Sequence, residues 1–338
     1  MNLIVQLIKC IQQIFTKQKI HPDTHSVSTA VSNTVRTAAS TKQLLITWSS
    51  SNPTYGPYHW WPWKSLEHTS SDKYKYNNLY AKGSALDKYD YLFCAKSVEY
   101  QKAHYFREFN STLPDKDWAG FCDKAAMLSC LWEYPKHSVR VQYNSKVIIF
   151  TLKDIEALMI IVSENTITNR QSFYGERYNG DYLDDTSEPY PTKLLSLLRI
   201  ICSEHTPFCV DVSNNSSVWN YPMSNVNVTK YTQKPTDLNS QHCCIPKEGQ
   251  TNYYHFLISS HAYPTKTQNV WGWVNHTNGH KTEGWISKKT PDFLWRTYKK
   301  KRSWEKMSTI NPEVSCNFVY KLYQHSLNDT KENTLLII

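Results

Sequence analysis

Apolar residues near the start of the chain fall at Ile4, Leu7, Ile8, Ile11, Ile14 and Phe15. Steps of three and four make one stripe on a helix, so residues 1–20 are expected to form an amphipathic N-terminal helix. Residues 21–43 carry Ser, Thr, Val and Ala without a period, the composition of a Ser/Thr-rich linker. A patterned body spans 44–326, and 327–338 reads as a tail that turns from polar to Leu335, Leu336, Ile337 and Ile338. Inside the body, Leu86, Tyr89 and Phe93 share a helical face over Ser84–Phe93. A second helix is expected from Cys122 to Tyr134 through Ala125, Ala126, Met127, Leu128 and Leu131, with Pro135 to stop it. Val139, Val141 and Tyr143 alternate with Arg140 and Gln142 in a strand, joined by a turn at Asn144–Ser145 to a second strand, Val147–Phe150. Leu152–Val162 reads as helix with Asp154 near its first turn, and the apolar run Lys193–Cys202 fits helix or strand. Phe208–Asp211, Tyr253–Ser259 and Val270–Val274 read as strands; in the second, Tyr254, Phe256 and Ile258 alternate with His255 and Leu257. Helices come first and strands later, with no internal repeat, which argues for an α+β fold rather than alternating βαβ units.

With 338 residues and 40% hydrophobic positions, the chain can bury a substantial core as one large domain or two small ones. Only 9 glycines are present, and neither G-x-G-x-x-G nor G-x-x-x-x-G-K-S/T occurs, which disfavours a phosphate-cradling loop. No apolar run approaches the roughly 18 residues of a membrane-spanning helix. The formal net charge is +9, spread along the chain. Its one dense run, Lys299, Lys300, Lys301 and Arg302, reads as a solvated surface, so no nucleic-acid partner is expected. A positive balance suits weak attraction to acidic surfaces such as cell walls or anionic lipid.

Nine cysteines, with no C-x-x-C pair, fit neither a zinc ribbon nor a thioredoxin motif. An odd count leaves two readings: up to four disulfides and a reactive thiol in an oxidising compartment, or reduced thiols in a cytosol. Asn-x-Ser/Thr sequons at Asn110, Asn214, Asn215, Asn227, Asn275 and Asn328 lean slightly toward secretion. Lys9 interrupts what would be a signal-peptide core, so the first helix is read three ways. It docks on the body, makes peripheral membrane contact, or serves a non-standard export route.

Trp118-Ala-Gly-Phe-Cys122-Asp-Lys-Ala-Ala126 is the sharpest local feature. A cysteine in the first turn of a helix meets unpaired N–H groups and the positive end of the helix dipole, both of which favour the thiolate a nucleophile needs. The other reading is a buried core cysteine. A cysteine nucleophile needs a base, usually a histidine oriented by a carboxylate or amide. His255, on a predicted strand, is one candidate base; equally it is a half-buried strand residue bonded to backbone. Asp211, at a strand end, orients an imidazole or starts the following turn. His276 and His280 lie in a Gly/Asn turn, poorly spaced for zinc. Asp181, Asp184, Asp185 and Glu188 form an acidic loop without EF-hand spacing. Trp60-Trp61-Pro62-Trp63 either stacks on carbohydrate or pins a loop onto the core.

Seven motifs follow one another in the order found in a known family. They are Pro57-Tyr-His-Trp-Trp-Pro-Trp63; Ser84-Ala-Leu-Asp-Lys-Tyr-Asp90 with Phe93; Trp118-Ala-Gly-Phe-Cys122 with Ala125 and Ala126; and Phe150-x-x-x-Asp154-Ile-x-Ala-Leu158. Phe173-Tyr-Gly-Glu-Arg177, Phe208-Cys-Val-Asp211 ahead of Val218-Trp-Asn-Tyr-Pro222, and Glu283-Gly-Trp285 before Pro291-Asp-Phe-Leu-Trp295 complete the series. Over roughly residues 53 to 320 the chain resembles the transglutaminase elicitor family, known from oomycete cell-wall proteins and bacterial relatives. The resemblance implies a papain-like arrangement, with the nucleophile helix packed on an antiparallel sheet. It implies protein-glutamine γ-glutamyltransferase activity through Cys122, with Asp211 as the orienting acid and calcium as a cofactor. The partners are then protein substrates, a glutamine donor and an amine acceptor, met by a secreted or exported monomer. Two positions depart from the family pattern. Asp123 stands where a histidine usually follows the cysteine, and Pro191-Thr-Lys-Leu-Leu-Ser196 lacks the histidine expected upstream of Asp211, leaving His205 or His255 to act as base. Asp123 also opposes the thiolate by like-charge repulsion. The alternatives are a catalytically inactive relative serving as a secreted protein- or glycan-binding effector, and a papain-like protease.

Overall fold

The computed structural model describes residues 42–49, 58, 61–63, 78–105, 119–165, 172–175, 189–205, 208–211, 218–236, 238, 245–260, 267–286, 295–297, 307–328 and 334–338. The expected N-terminal helix and most of the expected linker lie outside these residues, as do the acidic loop and the Lys299–Arg302 run.

Strand β1, Lys42–Ser49, opens the described chain, two residues before the body expected from sequence. Helix α1, Ala85–Phe93, begins where Ser84 Oγ accepts the Asp87 N–H at 3.5 Å, and ends at Cys94 in the left-handed region (φ 55°). Helix α2, Ser97–His104, takes its cap from the end of α1: Asp90 accepts the N–H groups of Ser97 (2.7 Å) and Val98 (3.0 Å). Helix α3, Cys122–Leu131, is three residues shorter than its apolar spacing predicts. Trp132 turns to extended backbone because its ring is buried edge-on against Tyr323. Strands β2, Val139–Tyr143, and β3, Lys146–Phe150, form the expected hairpin, with Asn144 at φ 52° in its turn. Helix α4, Leu152–Ile161, starts with a capping box between Thr151 and Asp154. Strand β4, Ser172–Tyr174, is followed by helix α5, Pro191–Ser203, which resolves the ambiguous apolar run.

Strands β5, Phe208–Asp211; β6, Asn220–Met223; β7, Asn225–Tyr231; β8, Gln250–Ser259; β9, Thr267–Thr277; β10, His280–Trp285; and β11, Trp295–Thr297 follow. Helix α6, Cys316–Leu327, and strand β12, Thr334–Ile337, complete the order. The architecture is α+β. Five antiparallel strands run in the order β1-β7-β8-β9-β10, and four in the order β4-β11-β5-β6, also antiparallel. A third sheet, β12-β2-β3, corrects the tail expected at 327–338: residues Thr334 to Ile337 pair in parallel with β2 from Val139 to Gln142.

Two cores meet at the four-stranded sheet. The first gathers α1, α3, α4 and α6 around Leu86, Phe121, Met127, Leu158 and Leu322. The second fills the space between α5 and the five-stranded sheet with Leu198, Val228, Phe256 and Ile258. Strand β5 faces both: Phe208 and Val210 lie in the second core, Cys209 in the first. Helix α3 packs on β6 and β5 from the first-core side. No helix among the described residues is long and apolar enough to cross a membrane.

Several motif residues prove to be scaffold. Asp154 Oδ2 accepts from Thr151 N (2.7 Å), Thr151 Oγ1 (2.7 Å) and Lys88 Nζ (2.6 Å), which fastens α4 to α1. Asp154→Ala removes a cap and a largely buried ion pair together. The stability measured by urea unfolding should fall by about 2 kcal/mol.

Candidate active site

Cys122 is placed by its neighbours before it does anything. Pro62 bridges Gly120, Trp63 N–H donates to Ala119 O (3.1 Å), and Phe121 N–H donates to Trp61 O (3.0 Å). Trp61, Pro62 and Trp63 thus pin the approach to α3. Trp61 Nε1 donates to the buried Glu156 at 3.2 Å, and Trp63 stacks on Tyr105 with ring centroids 5.1 Å apart. Phe121, held edge-on against both Trp63 and Tyr105, precedes the helix and offers no side-chain cap. Ala125 and Ala126 are small enough to let the first turns of α3 sink into the core. Cys122 is left half-buried at the helix tip.

Its sulfur faces the β6 end of the four-stranded sheet. Cys122 Sγ donates to Val218 O at 3.3 Å and receives Asn220 Nδ2 at 3.5 Å. Asn220 pairs across the ladder with Asp211, which is 0% exposed and accepts the Trp219 N–H at 2.7 Å. Alternation along β5 turns Asp211, like Cys209, toward α3. Asn220 Oδ1 is buried with no hydrogen-bond partner among the described residues. Burial, and then the charge of neighbouring Cys122, push the Tyr221 phenol up. Asp123, read from sequence as opposing the thiolate, is offset: its carboxylate takes Lys124 Nζ at 2.7 Å and Lys124 N at 2.9 Å.

Of the three residues expected to work together, Cys122 and Asp211 are brought to one place, linked through Asn220. His255 is not. It sits on β8 opposite Thr229 and Trp271, stacked on Trp271 at 4.2 Å, with Nε2 2.6 Å from Asn269 Oδ1. Its neighbours Tyr254, Phe256 and Ile258 point the other way, into the second core. The five-stranded sheet, that core and the four-stranded sheet therefore separate the His255 ring from Cys122. The physical reason is the two-residue period of a strand: burying Phe256 turns His255 outward. His205 does not replace it. Its Nδ1 accepts from Trp48 Nε1 at 3.4 Å, beside a Trp48–Phe208 contact in the second core.

Behind α3 lies a charged group that sequence reading missed. Glu164 is 6% exposed, with Oε1 accepting from Gln101 Nε2 (2.6 Å) and Tyr105 OH (3.2 Å) and Oε2 from Thr309 Oγ1 (3.3 Å). Burial pushes its carboxyl up to about 7, and these hydrogen bonds and the Lys124 charge only partly oppose the shift. The native state then binds a proton that the unfolded chain has released, so stability should fall as pH rises from about 4.5 to 7 and level off above. The fall attributable to this group is about 3 kcal/mol. Urea midpoints across that range should show the slope, and Glu164→Gln should flatten it.

Among the described residues, no group of three or more His, Cys, Asp and Glu could hold a metal ion. His276 and His280 flank the β9–β10 turn, and the acidic loop lies outside the described residues. No family model, curated protein or solved structure matches this chain. The site's own geometry has to carry the functional reading.

Proposed function

We propose that this protein is a cysteine-dependent acyltransferase of the transglutaminase-elicitor type, with a papain-like pairing of nucleophile helix and antiparallel strands. The observation that carries the reading is the Cys122 sulfur at the tip of α3, 3.5 Å from the Asn220 amide, which itself sits opposite buried Asp211. In the reaction, Cys122 gives up its proton to a base and attacks a glutamine carboxamide carbon. The C–N bond breaks, ammonia leaves and a thioester remains. A lysine or other primary amine then displaces the sulfur to form an isopeptide bond, or water does so and leaves glutamate. Asn220 suits the reaction, because Nδ2 can donate toward the sulfur or a developing oxyanion. The series of sequence motifs supports the same reading, and export to meet protein substrates goes with it.

One observation favours the second reading, a non-catalytic protein- or glycan-binding effector: His255 lies away from Cys122, on a different sheet. A labelled primary amine and a glutamine-rich acceptor separate the two. Ammonia release matched by amine incorporation marks transfer, and ammonia without label marks deamidation. Neither, with acceptor still bound, marks the effector. Single His→Ala variants of the chain's 13 histidines would then name the base by loss of turnover.

A further inference from the structure

The geometry points to a second sulfur site, apart from Cys122: Cys130 and Cys209 are placed to be joined by a disulfide that fastens α3 to β5. Cys130 lies near the end of α3 and Cys209 within β5. Their sulfurs are 3.6 Å apart, in van der Waals contact, at 4% and 0% exposure. Strand alternation makes the meeting possible, because Phe208 and Val210 turn into the second core while Cys209 turns toward the helix. A disulfide needs about 2.05 Å between sulfurs, so the two must close by about 1.5 Å. The other described cysteines are differently engaged. Cys94 is exposed against Lys146 Nζ (3.1 Å), Cys202 lies in the second core, and Cys316 begins α6.

The bond would span residues 79 positions apart and tie the helix that carries Cys122 to the strand that carries Asp211. It stands whether or not Cys122 is a nucleophile. Glutathione disulfide suffices as oxidant. One cysteine thiolate attacks it, a new S–S bond forms and one glutathione leaves as thiolate. The second cysteine thiolate then attacks the mixed disulfide and releases the other glutathione. Two cysteine sulfurs are oxidised, one glutathione disulfide is reduced to two thiols, and the two cysteine protons end on those thiols.

The test uses the full chain, incubated with glutathione disulfide in mild urea so that the buried sulfurs open to exchange, then alkylated and digested without reductant. A peptide pair joining Cys130 to Cys209, lighter by two hydrogens, is expected. The melting midpoint should rise by about 5–10 °C, revert with dithiothreitol, and show no such rise in Cys130→Ala or Cys209→Ala. Recovery of both cysteines as alkylated thiols, as glutathione adducts only, or bridged to other cysteines overturns the proposal. If either variant fails to fold, the wild-type peptide map still decides.

Discussion

Cys122→Ala should lower amine incorporation and ammonia release by about 10⁴-fold or more while leaving the fold in place. The size follows from deleting the atom that forms the thioester, a loss that no other site residue replaces. The mildness toward the fold follows from position. Cys122 is half-buried at the helix tip, and its sulfur meets Val218 O and Asn220 Nδ2 in hydrogen-bond contacts that involve sulfur and are weak. Unfolding in urea should therefore shift by no more than about 1 kcal/mol. Turnover equal to wild type would remove the enzyme reading outright. Cys122→Ser sharpens the result, since it keeps a hydroxyl donor for Val218 but not a competent nucleophile.

Asp211→Asn should cost about 10²-fold or more in kcat, the scale for losing a group that positions or serves acid–base chemistry. The exchange keeps size and keeps an oxygen to accept the Trp219 N–H, so the β5–β6 turn retains its bond. It brings in two N–H donors at a position with no solvent exposure, and each donor left unmet costs about 1–3 kcal/mol. The split between kcat and stability is therefore informative. A drop in kcat at unchanged KM marks Asp211 as a positioning acid for the reaction. A drop in stability alone marks it as a strut for the strand pair.

Local chemistry made the scaffold legible. Ser84 and the Thr151–Asp154 box mark helix starts through hydrogen bonds within three residues, whereas helix α2, capped by Asp90 from seven residues upstream, was not expected from the sequence. Asn144 marks a hairpin because it tolerates positive φ. Phe208–Asp211 and the tip of α3, which has no side-chain cap, were legible instead from their apolar patterns. What depends on distant partners was not. Thr334–Ile337 becomes a strand only because β2 offers an edge, nearly two hundred residues earlier in the chain. Asn220 carries no signal of its own, because its importance lies in facing Cys122 across a strand pair and a helix. His255 shows the limit most clearly. Period-two alternation reveals that it opposes Phe256, but which face meets the cysteine depends on how sheets stack.

Strand β5 has a consequence for how this protein can fail. Four residues carry the wall between two hydrocarbon interiors, and every second one belongs to the opposite room. A one-position slip in the β5–β6 ladder would thrust Asp211 among Leu198 and Phe256 and present Val210 to the thiol instead. Such a frame error buries an unmet carboxylate and strips the site of its acid in one stroke. Misthreaded molecules would thus be unstable as well as inert, leaving little room for a population that is folded but silently wrong.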